Sequence, residues 1–476
     1  TMMANASIDP YWQASVRGEV ISNPGYDLII QDKCTTCHTP MARTTRVFQG
    51  DQGVLLDEGF LDPGNDLNTL ALDGVSCTLC HQIEADGLGE PESFDGHYLV
   101  DDTKPAGERL SYGPYEIDET QSVVMKSASG YLPQQGEHIQ SSELCASCHT
   151  LYTPTVDNSG EVSGLFPEQM PYLEWQASVH ADQSTCGDCH MPAAEGAVVL
   201  SVTGGPERSP FSIHSFAGGN TYALKLLKNF GEDLGATASE RQIEAALDRA
   251  VDQLQNQTAE IQIDDLEING DTLEASVKVT SQVGHKFPTG FPSRRVWIHL
   301  KVTDDAGKVL FDSGRWDQNG AIFGNANDLD AAAYEPHYER ITDPEEVQIY
   351  EAIMGDVDGA VTTTLLRGAV YLKDNRLLPD GFNKAVVSED IAVTGNAASD
   401  PDFQGGLDKL VYLVPLDDAA GPFTITVELL YQSIGYRWAQ NLDRFEAPEP
   451  QRFIAFYNQV ENTPTLVASH TVKIGD

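Results

Sequence analysis

The sequence predicts an α+β protein in two parts, a mostly irregular and helical N-terminal domain followed by a C-terminal antiparallel β-sandwich. Three observations carry this expectation. All eight cysteines fall between positions 34 and 189, helical periodicity is concentrated ahead of about residue 258, and alternating apolar and polar runs around turn signals dominate afterwards. At 476 residues the chain is too long for one ordinary core, and with 41% hydrophobic residues it can bury more than one.

The elements follow in order. Residues 1–222 contain every cysteine and read as short helices and loops. Residues 223–258 read as connecting helices: Thr237 and Glu240 form a capping box, after which Ile243, Leu247, Ala250, Val251 and Leu254 recur on one helical face as core packing. Residues 259–476 read as a β-sandwich of immunoglobulin-like type. Within it, 261–268 and 272–280 alternate around Asn269-Gly270, a hairpin signal. Further strands are expected at 296–302, 309–311, 423–431 and 466–474, and 314–420 is loop-rich.

Every cysteine belongs to one five-residue pattern: Cys34-Thr-Thr-Cys37-His38, Cys77-Thr-Leu-Cys80-His81, Cys145-Ala-Ser-Cys148-His149 and Cys186-Gly-Asp-Cys189-His190. Two thiols at this spacing can add across the vinyl groups of one haem, and the following imidazole then falls where it can bind the iron. Zinc is the competing chemistry. Zinc ribbons pair their C-x-x-C units within about 15 to 20 residues, whereas these motifs start 43, 68 and 41 residues apart, and zinc gives no reason for a histidine after each second cysteine. A thioredoxin-like role needs one such motif in a βαβ setting. The first domain is therefore expected to be a tetrahaem c-type cytochrome domain with four haem c groups.

Four further histidines in this region, His97, His138, His180 and His214, equal the number of distal axial positions, so bis-histidine ligation of all four irons is expected. His138 and His180 lie too close to their following motifs to reach the far face of the same porphyrin without doubling back, which favours crossed ligation between neighbouring haems. Methionine is the competing distal ligand. Met41 and Met191 sit too near their own proximal histidines, and Met125 and Met170 read as packing residues. In the β half, His299 and His470 read as structural, His337 lies in a loop, and His285 is a reserve ligand. Trp12-Gln-Ala-Ser-Val-Arg17 nearly repeats Trp175-Gln-Ala-Ser-Val-His180, with arginine where the later copy has histidine. Arg17 could pair with a haem propionate, or its copy could mark one open iron.

On Asp73-Gly-Val-Ser-Cys77, Glu143-Leu-Cys145, Glu174-Trp-Gln-Ala-Ser-Val-His180 and Cys189-His190-Met191-Pro192, the first 220 or so residues resemble the multihaem cytochromes of the cytochrome c-554 and nitrite-reductase electron-donor group. Gly284-His285-Lys-Phe-Pro288-Thr-Gly290 resembles a segment of large secreted members with an added β domain. The resemblance implies closely stacked haem pairs, electron transfer and an extracytoplasmic location. In some similar tetrahaem proteins the subunits polymerise into extracellular conducting filaments.

The remaining limits come from charge. With 72 acidic against 29 basic residues the formal charge is -43, which repels nucleic acid and anionic lipid and suits cationic partners. Carboxylate-rich loops such as Asp62–Asp66 could hold calcium. No apolar run approaches the roughly 20 residues of a transmembrane helix, and a secretory signal is expected to have been removed before Thr1. Strong donors in an acidic shell favour ferric iron and low potentials. The expected function is extracytoplasmic electron transfer, not enzymatic catalysis, with other redox proteins or extracellular electron acceptors as partners. Self-association into a secreted, extracellular filament extends that reading, and the β domain would be a docking or subunit-contact module. The alternative is a multihaem oxidoreductase acting on a small nitrogen or sulfur compound at one open haem.

Overall fold

The computed structural model describes residues 1–201 and 205–475. It is an α+β protein with a C-terminal β domain, and its backbone divides into two compact units. The first comprises Thr1–Leu151, Asp182–Gly218 and Phe230–Ala246, the second Tyr152–Ala181, Gly219–Asn229 and Leu247–Asp476.

The first unit is built from short helices, including Pro10–Ser22, Asp27–His38, Pro40–Phe48, Ser142–His149 and Cys186–His190. Helix Pro10–Ser22 shows why they start where they do: the Asp9 carboxylate accepts from the backbone N–H groups of Tyr11 and Trp12, and proline occupies the first helical position. One apolar cluster centres on Met41, Leu79 and Ile83, and Ile8, Val16, Ile30, Leu55, Leu56 and Phe60 are also buried in this unit. Several long apolar side chains of this unit are left facing outward, among them Leu28, Ile29, Leu99 and Ile213.

The second unit is a sandwich of two sheets. Its strands are β1 (Ala259–Asn269), β2 (Thr272–Ser281), β3 (Arg295–Thr303), β4 (Val309–Ser313), β5 (Arg340–Ile341), β6 (Ile349–Gly355), β7 (Val370–Asp374), β8 (Leu407–Pro415), β9 (Phe423–Gln432) and β10 (Thr465–Ile474). One sheet has the order β7-β6-β3-β9-β10, with β4 also paired to β3, and the other β5-β8-β2-β1. All these pairings are antiparallel except the short β5-β8 contact. Inward-facing alternate residues such as Leu273, Val277, Ile298, Leu300, Leu410, Ile425 and Val427 fill the space between the sheets, so a one-residue slip would turn this core outward.

The Asn269-Gly270 hairpin forms as expected, pairing Asn269 with Thr272 and placing Gly270 at φ 63°. The helical stripe also packs as expected, with Ile243, Ala250 and Leu254 buried. The cap differs: helix Glu240–Asn256 begins after Ser239, whose backbone N–H and hydroxyl both donate to Gln242 Oε1. Ser239 and Gln242 have the same three-residue spacing as Thr237 and Glu240, and two overlapping Ser/Thr-x-x-Glu/Gln patterns cannot be ranked by spacing alone. The loop-rich stretch contains β5 to β8: β8 alternates buried with half-buried residues, while β6 is buried along its whole length.

Candidate functional site

All four C-x-x-C-H motifs fold as helical turns: at the end of Asp27–His38, along Cys77–Cys80 and into His81, at the end of Ser142–His149, and along Cys186–His190. On a helix, residues i, i+3 and i+4 share one face, so each motif presents two thiols and one imidazole on the same side. The motifs also gather. The Cys37 thiol hydrogen-bonds that of Cys148, and Cys145 that of Cys186. The loop before His97 reinforces this, because Gly96 donates to the Ser147 carbonyl at 2.6 Å and a Cβ on Gly96 would lie 2.3 Å from Thr36 Cγ2. His97 itself is exposed.

Three of the motif imidazoles are held in one tautomer. Nδ1 of His38 lies 3.3 Å from the Ala6 carbonyl, that of His81 2.5 Å from Tyr112 O, and that of His190 2.6 Å from Ala217 O. A carbonyl only accepts, so each Nδ1 carries the proton and Nε2 keeps the lone pair that a metal uses. His149 is exposed at the end of its helix.

His214 completes a pair. Its Nδ1 lies 3.1 Å from Ser212 O, giving the same tautomer, and its ring centroid is 6.2 Å from that of His81 with 27° between the planes. Residues 212–217 are braced on the fourth motif, since the Ser215 hydroxyl donates to the His190 carbonyl at 3.0 Å. The segment thus braces one motif histidine, His190, while placing His214 near another, His81. His138 is placed differently: its Nε2 lies 2.9 Å from Ile83 O and its ring edge packs on Tyr112, so ligation through Nε2 requires the ring to turn. His180 lies in the second unit on the turn Val179–Asp182, backed by Gly284, where an added Cβ would sit 3.1 Å from His180 Cβ. His285 follows, with Nδ1 2.9 Å from the Lys286 carbonyl.

Other sequence candidates have structural partners. Arg17 forms a two-pronged ion pair with Asp57, its terminal nitrogens 2.8 and 3.3 Å from the carboxylate. Asp66 pairs with Arg46 at 2.6 Å and Asp62 accepts from Gly64 N–H, which leaves the Asp62–Asp66 loop organised by protein contacts. Met41 Sδ accepts from Ser76 and Thr78 hydroxyls, and Met170 is buried in the sandwich core. His470 Nδ1 accepts from Ile263 N–H at 3.0 Å beside a bulge in β1. His299 bridges Glu428 and Asp312 at 2.9 and 2.8 Å.

Among the described residues, the His, Cys, Asp and Glu group at metal-binding spacing is His337, Asp400 and Asp408, and none forms around the cysteine motifs. That is the opposite of what a zinc-stapled cysteine framework would give. Sequence reading missed the role of His337 because Asp400 and Asp408 lie more than sixty residues away in the chain. The group is a buried hydrogen-bond network. Gln348 and Asn375 both donate amide N–H to His337 Nδ1, and their oxygens are occupied by the backbone N–H groups of Tyr338 and Glu351. Nδ1 is thereby the acceptor nitrogen, Nε2 carries the proton toward Asp400 at 3.0 Å, and the nitrogen a cation would need is already protonated.

No protein-family model matches the sequence, and no curated protein matches it. Among solved structures, the chain is similar to the crystal structure of a penta-heme cytochrome c552 from Thermochromatium tepidum, with a TM-score of 0.53 and 16% identity over 100% of this chain and 94% of that one. At this identity the likeness defines a shared α+β fold.

The haem chemistry suggested by the motifs meets this structure at three points. The thiols and imidazole of each motif share a helix face, the tautomers of His38, His81 and His190 leave Nε2 with its lone pair, and outward apolar side chains such as Ile213 beside His214 can cover a macrocycle.

Proposed function

We propose that the chain carries four covalently attached haems and passes electrons between them outside the cytoplasm. The His81–His214 pair is the observation that carries the reading. The two ring centroids lie 6.2 Å apart with 27° between the planes, and each ring has its Nδ1 at a backbone carbonyl, so both would offer Nε2 to one haem iron. The eight cysteines and His38, His81, His149 and His190 would hold the haems, with His97, His138, His180 and His214 as distal ligands and His285 in reserve. When bound, the haems supply one-electron redox chemistry. The protein's part is to hold imidazoles by their Nδ1 protons, cover the rings with apolar side chains and set the local charge. The name of the structural neighbour supports the same reading.

Among the described residues no helix is long and apolar enough to cross a membrane, which is compatible with a secreted carrier. Filament formation belongs to the same proposal. A charge of -43 per chain makes self-association self-repelling unless counterions screen it, so assembly would strengthen with ionic strength.

Mass spectrometry and optical spectra of the purified protein test the proposal: four haem additions and a Soret band are expected, and a colourless polypeptide of unmodified mass refutes it. His214→Ala is expected to convert one low-spin iron to a high-spin, cyanide-binding one. A high-spin signal in the unaltered protein would favour the oxidoreductase alternative, and electron microscopy at high salt tests the filament.

A further inference from the structure

The Trp12–Arg17 segment is a sequence motif that the electron-transfer reading leaves without a role. We propose that Trp12, together with the carbonyl of Ala6, positions the proximal imidazole of His38, and that this mount makes the first motif easier to reduce than the motifs of His81 and His190. The inference rests on the haem reading above.

The mount is a single rigid corner. The turn Met3–Ile8 runs into helix Pro10–Ser22, whose N-cap Asp9 accepts from Tyr11 and Trp12 N–H at 2.9 and 3.4 Å. Gln13 Nε2 reaches back to Ser7 O at 2.7 Å, and Ser7 Oγ donates to Leu72 O at 3.1 Å. From this corner the Trp12 indole lies flat on the His38 imidazole, with centroids 4.3 Å apart and planes within 2°. Ala6 O, from the same corner, faces His38 Nδ1.

Two features act in one direction. The His38 Nδ1 contact is 3.3 Å, against 2.5 and 2.6 Å at His81 and His190. A short N–H···O=C bond makes an imidazole more basic and favours ferric iron, and a long one does so less. The indole covers one face of the ring and keeps water from it, which disfavours the more charged oxidation state. Lys33 and Arg43 also flank this motif, but each is paired, with Asp95 at 3.1 Å and Asp32 at 2.9 Å, so together they add no net charge there.

The test uses the full-length holoprotein. Haem number is first counted by mass, and a dithionite titration is then followed by electron paramagnetic resonance in the unaltered chain and in Trp12→Ala, Trp12→Phe and His38→Met. The component altered by His38→Met should titrate above those of the His81 and His190 motifs. In Trp12→Ala that component alone should shift to lower potential and change its g-anisotropy, as the ring plane is released and water enters, whereas Trp12→Phe should keep both. If His38→Met does not mature, the two Trp12 variants supply the assignment. The inference is overturned if the Trp12→Ala component lies below the others, or if Trp12→Ala shifts all components together or none. Absence of haem in the unaltered chain would instead overturn the underlying reading.

Discussion

Replacing Asp374 by Asn is a severe test of how the second unit is held together. Asp374 is 1% exposed and accepts from the fully buried Lys286 at 2.7 Å and from Arg376 at 2.7 and 2.9 Å. Arg376 also pairs with Glu174 at 2.9 Å, in a geometry that is not a hydrogen bond, while Glu174 Oε2 accepts from Lys286 N–H and Thr289. The network therefore ties the segment leading to His180 to the loop containing Gly284 and His285. Two cations and two carboxylates balance, and Asp374→Asn leaves a surplus positive charge away from water. Removing one partner of such a pair costs about 3–5 kcal/mol. Burial alone would raise the Asp374 carboxyl, but Arg376 and Lys286 overcome it and hold the group at about 2 against 3.8. That preference corresponds to about 2 kcal/mol, and the substitution adds the cost of the unpaired Lys286. Circular dichroism melting at pH 7 should then fall by about 6–10 °C, at about 2 °C per kcal/mol for a large domain. Because the folded carboxyl is depressed, its contribution is present above about pH 4 and is lost as pH falls toward 2. The variant should lack that acid-dependent loss. A melting point within about 1 °C of the unaltered protein, with the same acid profile, would refute the argument.

Two other perturbations read different parts of the molecule. Burial would lower the His299 pKa, but hydrogen bonds to Glu428 and Asp312 overcome it and raise it, so its stabilisation is complete below about pH 6.5 and is lost as pH rises through the raised value. His299→Gln should flatten the pH dependence of melting above pH 6.5, and an unchanged profile would count against the bridge. Gly96→Ala forces a Cβ to 2.3 Å from Thr36 Cγ2 at a φ of 78°, and should cost about 1–3 kcal/mol and reduce haem occupancy of the first motif by mass spectrometry; full occupancy and unchanged melting would show that the loop yields.

Local rules reached the elements whose cause is local. The Asn269-Gly270 hairpin, the buried stripe of helix Glu240–Asn256 and the clustering of two thiols and an imidazole on one helical face all follow from spacings of two to four residues. The capping pair moved from Thr237 and Glu240 to Ser239 and Gln242 because neighbouring frames of the same pattern compete within one turn.

The sequence by itself determined the donor inventory: eight cysteines in four equal motifs, with a histidine after each and as many histidines again before residue 222. Only the tertiary structure decided which groups meet. His214 faces His81 across 133 positions, Trp12 lies on His38, Asp400 closes on His337, and Lys286 finds Asp374. Spacing within a helical turn is dictated by the backbone's own geometry, whereas meetings between distant side chains depend on how helices and sheets pack, and that packing is a property of the whole chain.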